Sequence, residues 1–341
     1  MQNKKIGSQT VELSSRPVII AAACVGGRQE SKGPLAACFD YLSEDTYFGE
    51  KTWEDAESTM LKKCFDLSLK KALISAESLD YIFSGDLLNQ CIASVFALKD
   101  SNAPFFGIYG ACSTIAEALS LAAMSIDGGY ANTACALTSS HFCTAERQFR
   151  LPLNYGGLRE TTAQWTATAA GSLILSCEGD GPVISHVTTG KMVDSGITNA
   201  NNMGAAMAPA ALETLCTHFA DTGRTPDYYD FIVTGDLGEI GTSVLRELSA
   251  ENGYDLSTNH TDCGLLIYSR GNKDIKAGAS GCGCSASVLA GHFLPKLRSG
   301  EIKRMLFAAT GALTSSMTTQ QGKNILGICH ALSIENVGGQ S

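Results

Sequence analysis

The chain repeats itself, and this internal duplication restricts the possible folds more than any other feature of the sequence. The stretch YIFSGDLL at 81–88 returns as FIVTGDLG at 231–238, an offset of 150 residues. CSTIAEALSLAAMSIDGG, which begins with Cys112, returns at an offset of 172 residues as CSASVLAGHFLPKLRSGE, which begins with Cys284. PVII near the start of the chain likewise returns as PVIS. Because the three matches keep their order, we predict two copies of one unit.

Each copy shows the same succession of hydrophobic patterns. We assign the copies to 1–180 and 181–341 and expect them to lie around a pseudo-two-fold axis. The predicted strands are 18–24, 81–86 and 133–138, repeated as 183–188, 231–236 and 304–310. The predicted helices are 53–75 and 113–127, repeated as 204–220 and 285–299. Alternating strands and helices indicate an α/β fold with largely parallel sheets.

Composition narrows the class of protein further. Only 17% of the residues are charged, against roughly 25% in an average protein, so much of the chain should be buried. A net charge of −9 argues against nucleic acid as a partner. The thirteen cysteines lie mostly in apolar runs, which indicates reduced thiols rather than a disulfide framework.

The apolar run PVIIAAACVGG imitates a signal peptide, but its hydrophobic core is short and begins with Pro17. A buried first strand explains the run better. No segment reaches the roughly 18 apolar residues that a membrane span requires. We therefore expect a chain made in the cytoplasm, without a signal peptide or a transmembrane segment.

Cys112 is the first candidate for chemistry. In GIYGACSTIAEALSLA, 107–122, an extended run ends at a cysteine, and an apolar helix follows. A helix N-terminus stabilises a thiolate, and enzymes use this effect to make a cysteine nucleophilic. A cysteine in this position is also a small apolar residue that packs well. The residues alone leave both interpretations open.

Several motifs along the chain carry a family resemblance: GDLLNQ, GACST, TSSH, TAERQFR, DCGLLIY and ATGAL. A duplicated α/β unit with a cysteine before its first buried helix resembles the thiolase and ketoacyl-synthase superfamily. Over nearly its full length the chain resembles the AD family of stage V sporulation proteins from endospore-forming bacteria. That resemblance implies a thiolase-like, five-layered α-β-α-β-α fold with pseudo-two-fold symmetry and no cofactor.

The same resemblance implies a function in sporulation and germination. It points to the machinery that moves dipicolinate (pyridine-2,6-dicarboxylate) across the spore inner membrane, with this chain bound peripherally through other subunits of the transport complex. Whether calcium enters with the ligand stays open. The resemblance also implies a homodimer, because superfamily members pair through a strand near the nucleophile helix. We expect 133–138 to be that strand.

Catalysis would require more than a thiol. Enzymes of the superfamily use a second-half histidine with an asparagine or another cysteine to move the proton and stabilise the oxyanion. Here the corresponding turn reads GDLGEI and contains Asp236 but no histidine. The first hypothesis is therefore a non-catalytic ligand-binding protein. The alternative is a cysteine-dependent acyltransferase or condensing enzyme that uses Cys112 on acyl-CoA or acyl-carrier substrates.

Under the binding hypothesis, the N-termini of the two buried helices, after Cys112 and after Cys284, form an anion pocket. We expect polar contacts from Ser113, His141 and Arg147, and a wall shaped by Cys112 and Gly311. The alternatives for His141 and Arg147 are a hydrogen-bonded histidine and an exposed basic turn that also includes Arg150.

Two further groups of residues are explained without a functional role. Asp86 and Asp236 are equivalent in the repeat, so we expect a structural cap or a bond across the axis. The residues of NHTDC (260, 262 and 263), with Cys282 and Cys284, have zinc-ligand chemistry, but Cys-x-Cys is too tight for the usual zinc spacing. We expect no metal site.

Overall fold

The computed structural model describes residues 4–149, 159–269, 271–336 and 338 of the 341-residue chain. Its strands are β1 (Thr10–Glu12), β2 (Val18–Gly26), β3 (Tyr41–Leu42), β4 (Tyr81–Asp86), β5 (Phe105–Gly107), β6 (Thr133–Ser140), β7 (Trp165–Thr166), β8 (Ala169–Ser176), β9 (Val183–Thr188), β10 (Val193–Asp194), β11 (Phe231–Thr234), β12 (His260–Asp262), β13 (Ala279–Ser280), β14 (Arg304–Leu313) and β15 (Leu326–Glu335). Its α-helices are α1 (Trp53–Ala72), α2 (Ile92–Leu98), α3 (Thr114–Asp127), α4 (Phe142–Phe149), α5 (Met203–Thr222), α6 (Gly238–Glu251), α7 (Cys263–Leu266), α8 (Cys282–Val288), α9 (Leu294–Ser299) and α10 (Ser316–Gln320).

The order of the strands shows the duplication directly. Along the main sheet it is β5-β4-β6-β8-β2 and then β9-β15-β14-β11-β12. The second series is the first in mirror order, with β2 equivalent to β9 and β4 equivalent to β11. The two half-sheets meet where Val18 pairs with Val183. A pseudo-two-fold axis therefore runs between β2 and β9.

Hydrophobic cores separate the layers of helices and strands. α1 packs Met60 and Phe65 on the first half-sheet, and α5 packs Met207 and Phe219 on the second. α3 lies between the half-sheets, contacting β4 and β6 on one side and β14 and β15 on the other. Its Leu119 is completely buried, which explains why this helix is apolar on every face. The layers are therefore α-β-α-β-α.

The sheet is less parallel than the sequence predicts. β4 runs parallel to β5 and β6, and β11 runs parallel to β12 and β14. β8 is antiparallel to β6 and β2, and β15 is antiparallel to β14 and β9. Antiparallel neighbours such as β6 and β8, or β14 and β15, need no crossover connection, whereas parallel neighbours do.

The second buried helix also differs from the continuous 285–299 helix that the sequence predicts. α8 begins three residues earlier, at Cys282, and a π-helical turn at Leu289–Phe293 joins it to α9. Pro295 has no N–H to continue the ladder of hydrogen bonds, which favours an irregular turn just before it. Gly291 lies in this turn, where a Cβ would come within 2.6 Å of the Cys24 sulfur.

The free edge of the first half-sheet is not the strand that we expected to form a dimer. β6 is hydrogen-bonded on one side to β4 and on the other to β8, so it has no edge to offer a second copy. The outer strand is β5, whose three residues are all exposed. Phe106 is 50% exposed there, and Phe96 of the neighbouring α2 is 53% exposed. A dimer built by strand pairing of the first half-sheet would therefore use β5.

Within the described part of the chain, no helix combines the length and the apolar character needed to cross a bilayer. All thirteen cysteines are free thiols, as their apolar surroundings predict.

Candidate ligand-binding site

A tight turn before α3 brings Cys112 to the wall of a small cavity. Ala111 adopts a left-handed backbone, with φ of 51°, which is uncommon for a residue with a side chain. Ser113 closes the turn by donating a hydrogen bond from Oγ to the Gly110 carbonyl at 2.7 Å. The cavity has a volume of about 40 Å³. It is lined by Leu87, Ala111, Cys112, Ala145, Glu146, Phe149, Gln164, Thr166, Ala200, Asn201, Met203, Ser280, Ala312 and Thr314.

The Cys112 thiol faces a polar network from the second half of the chain. Its sulfur lies 3.8 Å from Ser280 Oγ, which donates to Asp236 Oδ2 at 2.9 Å. The same carboxyl oxygen accepts the Gly281 N–H at 3.0 Å, and Oδ1 accepts from Thr310 Oγ1 at 2.9 Å. Asp236 is completely buried, so these donors replace the water it loses. It holds the start of α8 against β14.

These surroundings suppress the thiolate of Cys112. Burial raises the pKa of the thiol well above its ordinary value, and the negative charge of Asp236 raises it further. Both effects oppose the helix N-terminus, which alone would lower the pKa. Cys112 is therefore a protonated thiol at neutral pH, whereas a catalytic nucleophile must be a thiolate.

None of the chain's histidines lines this cavity, although all six lie in the described part of the chain. They are His141, His186, His218, His260, His292 and His330. Burial lowers the pKa of each one, and it does so to about 3 for His218 and His260. The thiol therefore has no imidazole beside it to accept its proton.

The structure brings only one of the predicted ligand-binding residues, Cys112, into the wall of the cavity. Ser113 is fully buried and bonds within its own turn. Gly311 supports that turn from β14, because a Cβ there would come within 2.4 Å of the Gly110 oxygen. Ser113 and Gly311 therefore position Cys112 without facing the cavity.

His141 and Arg147 do not line the cavity, and each one contacts residues outside it. His141 Nδ1 accepts the Cys143 N–H at 3.2 Å, and Nε2 lies 2.9 Å from the Thr46 carbonyl. Arg147 forms an ion pair with Glu54, and its guanidinium lies over a tryptophan ring on α1. The geometry of His141 therefore fits the alternative of a hydrogen-bonded histidine, and that of Arg147 fits the alternative of an exposed basic turn. Arg150 lies outside the described residues.

The structure adds three polar residues that the sequence did not suggest. Gln164 donates from Nε2 to the carbonyls of Asp236 and Ala279 at 2.6 and 2.8 Å, which links the two halves at the floor of the cavity. Arg159 donates to the Gln164 carbonyl at 2.9 Å and forms an ion pair with Glu146, which lines the cavity. Arg159, not Arg147, is thus the arginine that reaches the rim.

Aromatic rings hold Arg159 in place. Its guanidinium carbon lies 5.2 Å from the centre of the Phe142 ring and 5.1 Å from that of Trp165. These rings are themselves stacked. Cation–π contacts and an ion pair fix the group at low side-chain entropy. In the sequence, Phe142 is the one signal for this arrangement. Phe142 is informative only together with Trp165, which follows 23 residues later.

The remaining candidates have structural roles. Asp86 accepts the N–H groups of Leu88 and Ser94 at 2.9 and 2.8 Å and so acts as a cap. Asp262 accepts the N–H groups of Leu237 and Gly238 at the start of α6. Within the described residues, no three histidine, cysteine or acidic side chains come together as a metal-binding group.

A duplicated five-layered fold with a cysteine at the start of its central helix defines a thiolase-like protein, as predicted. Solved structures of this class are similar throughout. 3-oxoacyl-[acyl-carrier-protein] synthase III from Aquifex aeolicus is 13% identical with a TM-score of 0.56, covering 94% of this chain and 99% of that one. OleA from Xanthomonas campestris (variant E117Q) is 13% identical with a TM-score of 0.59, covering 94% and 98%. At this identity the likeness shows the fold alone.

Sequence comparison is more specific than the fold. The family model for stage V sporulation protein AD matches residues 7–335. The stage V sporulation protein AD of Bacillus subtilis (strain 168) is 40% identical over 338 residues, 99% of this chain and 100% of that protein. The chain therefore belongs to the stage V sporulation protein AD family, and the resemblance seen in the motifs is confirmed.

Proposed function

We propose that this sporulation protein binds dipicolinate in the Cys112 cavity and catalyses no reaction there. The observation that carries the proposal is the state of Cys112: a buried, protonated thiol whose nearest polar partner is Ser280 and behind it a carboxyl group. Burial raises the pKa of the Asp236 carboxyl, and the hydrogen bonds that it accepts oppose this shift and tie the carboxyl to the fold. A thiol of this kind contributes a wall to a binding site.

A ligand can enter the Cys112 cavity only by displacing side chains. Leu87, Phe149 and Met203 form an apolar wall opposite the polar floor. A volume of about 40 Å³ holds only water, whereas ligand sites usually measure about 300–1,000 Å³. Binding therefore requires the apolar wall to move, and we propose that the ring of dipicolinate replaces Phe149 against the thiol.

The charge of the lining favours one form of the ligand. Glu146 is the charged residue among the described lining residues, and Arg159 is paired with it. A bare dianion would have to compete with Glu146 for Arg159. The calcium chelate is neutral, and a carboxylate such as that of Glu146 suits the open coordination positions of calcium. We propose the chelate as the preferred ligand.

In the cell we place the protein at the spore inner membrane, peripherally and through other subunits of the dipicolinate transport machinery, during sporulation and germination. The support is family membership. We further propose a homodimer through β5, because its exposed phenylalanines and open hydrogen-bonding edge would be covered in that arrangement.

Calorimetry with dipicolinate, with and without calcium, tests the binding proposal. Isophthalate, which has the same two carboxylates but no ring nitrogen, is the control ligand. Arg159→Gln should weaken binding of calcium-free dipicolinate about ten- to a hundredfold, because a charge-assisted bond contributes about 1.5–3 kcal/mol. Arg147→Gln is a matched control, since Arg147 also pairs with a glutamate and lies over an aromatic ring.

We expect Arg147→Gln to bind like the wild type. If the wild type binds neither dipicolinate nor its calcium chelate at millimolar concentration, the proposal is wrong. If Arg147→Gln loses binding and Arg159→Gln keeps it, the site lies instead on the outer face of α4.

The retained cysteine supports a second candidate, an acyltransferase of the condensing type. Cys112 stands at the start of the central helix, as a nucleophile of that fold would. Incubation with acetyl-CoA or longer acyl-CoA followed by intact-protein mass spectrometry separates the two functions. We expect no acyl adduct on Cys112. A stoichiometric adduct that turns over would make the chain an enzyme.

A further inference from the structure

A second and larger cleft lies on the second half of the molecule. It has a volume of about 540 Å³ and shares no lining residue with the Cys112 cavity. One wall is α6, and the opposite wall comprises α7 and the loop from Gly271 to Gly278. This volume lies in the range of small-molecule sites, roughly 300–1,000 Å³. The cleft is therefore large enough for a metabolite without rearrangement.

α6 presents a polar stripe to this cleft. Glu239, Thr242, Ser243 and Arg246 recur at the spacing that places side chains on one face of a helix, and all four line the cleft. Thr242 is 5% exposed, and its Oγ1 has no hydrogen-bond partner in the described part of the chain. Buried hydroxyl groups are normally paired. This oxygen is closed to solvent, so the Thr242 side chain must rotate before a group bound in the cleft can supply the missing partner.

Two cations face the same space. Arg246 donates from Nε to His260 Nδ1 at 3.3 Å and from Nη2 to the His260 carbonyl at 2.7 Å. These bonds fix the guanidinium and leave Nη1 available to a ligand. Lys276 lines the opposite wall, and neither cation forms an ion pair with a carboxylate of the described residues. Glu239 lines the same cleft and offsets one of these two charges, so the lining keeps an excess of one positive charge. In a chain of net charge −9, this excess favours an anion.

The rest of the lining is mixed. Leu265, Leu266 and Ile275 supply apolar surface, and Thr261, Ser269 and Asn272 supply polar groups. Tyr268 closes the inner end, where its hydroxyl donates to the buried Glu30. A ligand with a small apolar body and an anionic head could contact both the apolar residues and the cations of this lining.

We propose that this cleft is a second ligand site, which takes a small organic anion with a phosphate or carboxylate head and an apolar body. Arg246 and Lys276 bind the head, and the Thr242 hydroxyl donates to it. The site is independent of the Cys112 cavity. Its occupant is therefore a second small molecule and not part of the ligand proposed for the thiol.

Phenyl phosphate and benzoate are suitable probes, because they share an apolar ring and differ in the head. Ligand-observed NMR and calorimetry should detect binding of at least one of them at about 10 mM, which exceeds a millimolar Kd tenfold. Lys276→Gln and Thr242→Val should each weaken that binding at least about fivefold. Lys273→Gln is the matched control, since Lys273 belongs to the same loop but does not line the cleft.

The better of the two probes identifies the head group. Binding should persist in Arg159→Gln, which separates this site from the Cys112 cavity. The proposal is overturned if neither probe binds, or if Lys276→Gln and Thr242→Val bind the probes as the wild type does. Thermal unfolding of both variants shows whether they are folded. If Thr242→Val is more stable and still binds normally, the hydroxyl is only a packing feature.

Discussion

The protonation state of Cys112 can be measured through its rate of alkylation. An ordinary cysteine with a pKa of about 8.5 is about 10% thiolate at pH 7.5, and each unit of increase lowers that fraction about tenfold. Burial, reinforced by Asp236, raises the pKa of Cys112 well above its ordinary value. Iodoacetamide should therefore modify Cys112 at least about ten times more slowly than the exposed Cys177.

Burial also slows access, so the pH dependence is the decisive readout. Peptide mapping from pH 6 to pH 10 should show a rate at Cys112 that is still rising at pH 9. Asp236→Asn removes the nearby negative charge and can keep a hydrogen bond to Thr310, whose hydroxyl either donates or accepts. Because burial is the larger cause, the rate should rise less than about tenfold in this variant. A rate at Cys112 that levels off below pH 7 would reveal a thiolate and refute this reasoning.

Further predictions concern assembly, pH and packing. Phe106→Glu should convert a dimer into a monomer near 36 kDa in light scattering. Tyr130→Glu, at an exposed residue away from β5, should not. A wild-type monomer at micromolar concentration would contradict the β5 pairing. Burial, with Asp86 nearby, raises the pKa of Glu57 to about 8. The folded protein therefore keeps a proton that the unfolded chain loses, so the free energy of unfolding should fall from pH 4.5 to pH 8. Glu57→Gln should remove roughly 3–5 kcal/mol of that fall. Identical pH slopes in urea titrations of both proteins would count against this. Gly171→Ala would place a Cβ 2.5 Å from the backbone of α8 and should cost about 1–3 kcal/mol; an unchanged urea midpoint would show that α8 can shift.

Much of the architecture could be predicted because the duplication supplies each element twice. The strand Tyr81–Asp86 and the strand Val183–Thr188 match the predicted ranges, and the central helix Thr114–Asp127 begins one residue later than predicted. Strand direction could not be read in the same way. Hydrophobic periodicity identifies a strand and its buried faces but does not say whether the next connection crosses over the sheet or turns back.

The site was harder to predict, because its contacts join residues that are far apart in the chain. Cys112 was found through its helix N-terminus, which is a local signal. Ser280 and Gln164 approach it only because the duplicated halves meet at the axis. Arg147 and Arg159 both follow the end of β6 in the sequence, and they differ in their partners: Arg159 contacts Glu146 and Gln164, which line the cavity, whereas Arg147 pairs with Glu54.

The direction of the pKa shift at Cys112 could not be predicted from the sequence either. A helix N-terminus predicts a lowered pKa for the Cys112 thiol, and the sequence gives no measure of burial to set against it. Full burial and the carboxyl of Asp236 reverse the direction. The direction of this pKa shift therefore depends on burial, which only the structure supplies.

A crystal structure of the protein with dipicolinate and calcium tests the central claim most directly. We predict the ligand in the Cys112 cavity, bound without a covalent bond to the sulfur, with Phe149 displaced and a carboxylate or its calcium ion between Glu146 and Arg159. Dipicolinate found only on the outer face of α4 near Arg147, or an empty cavity at a saturating ligand concentration, would contradict the account.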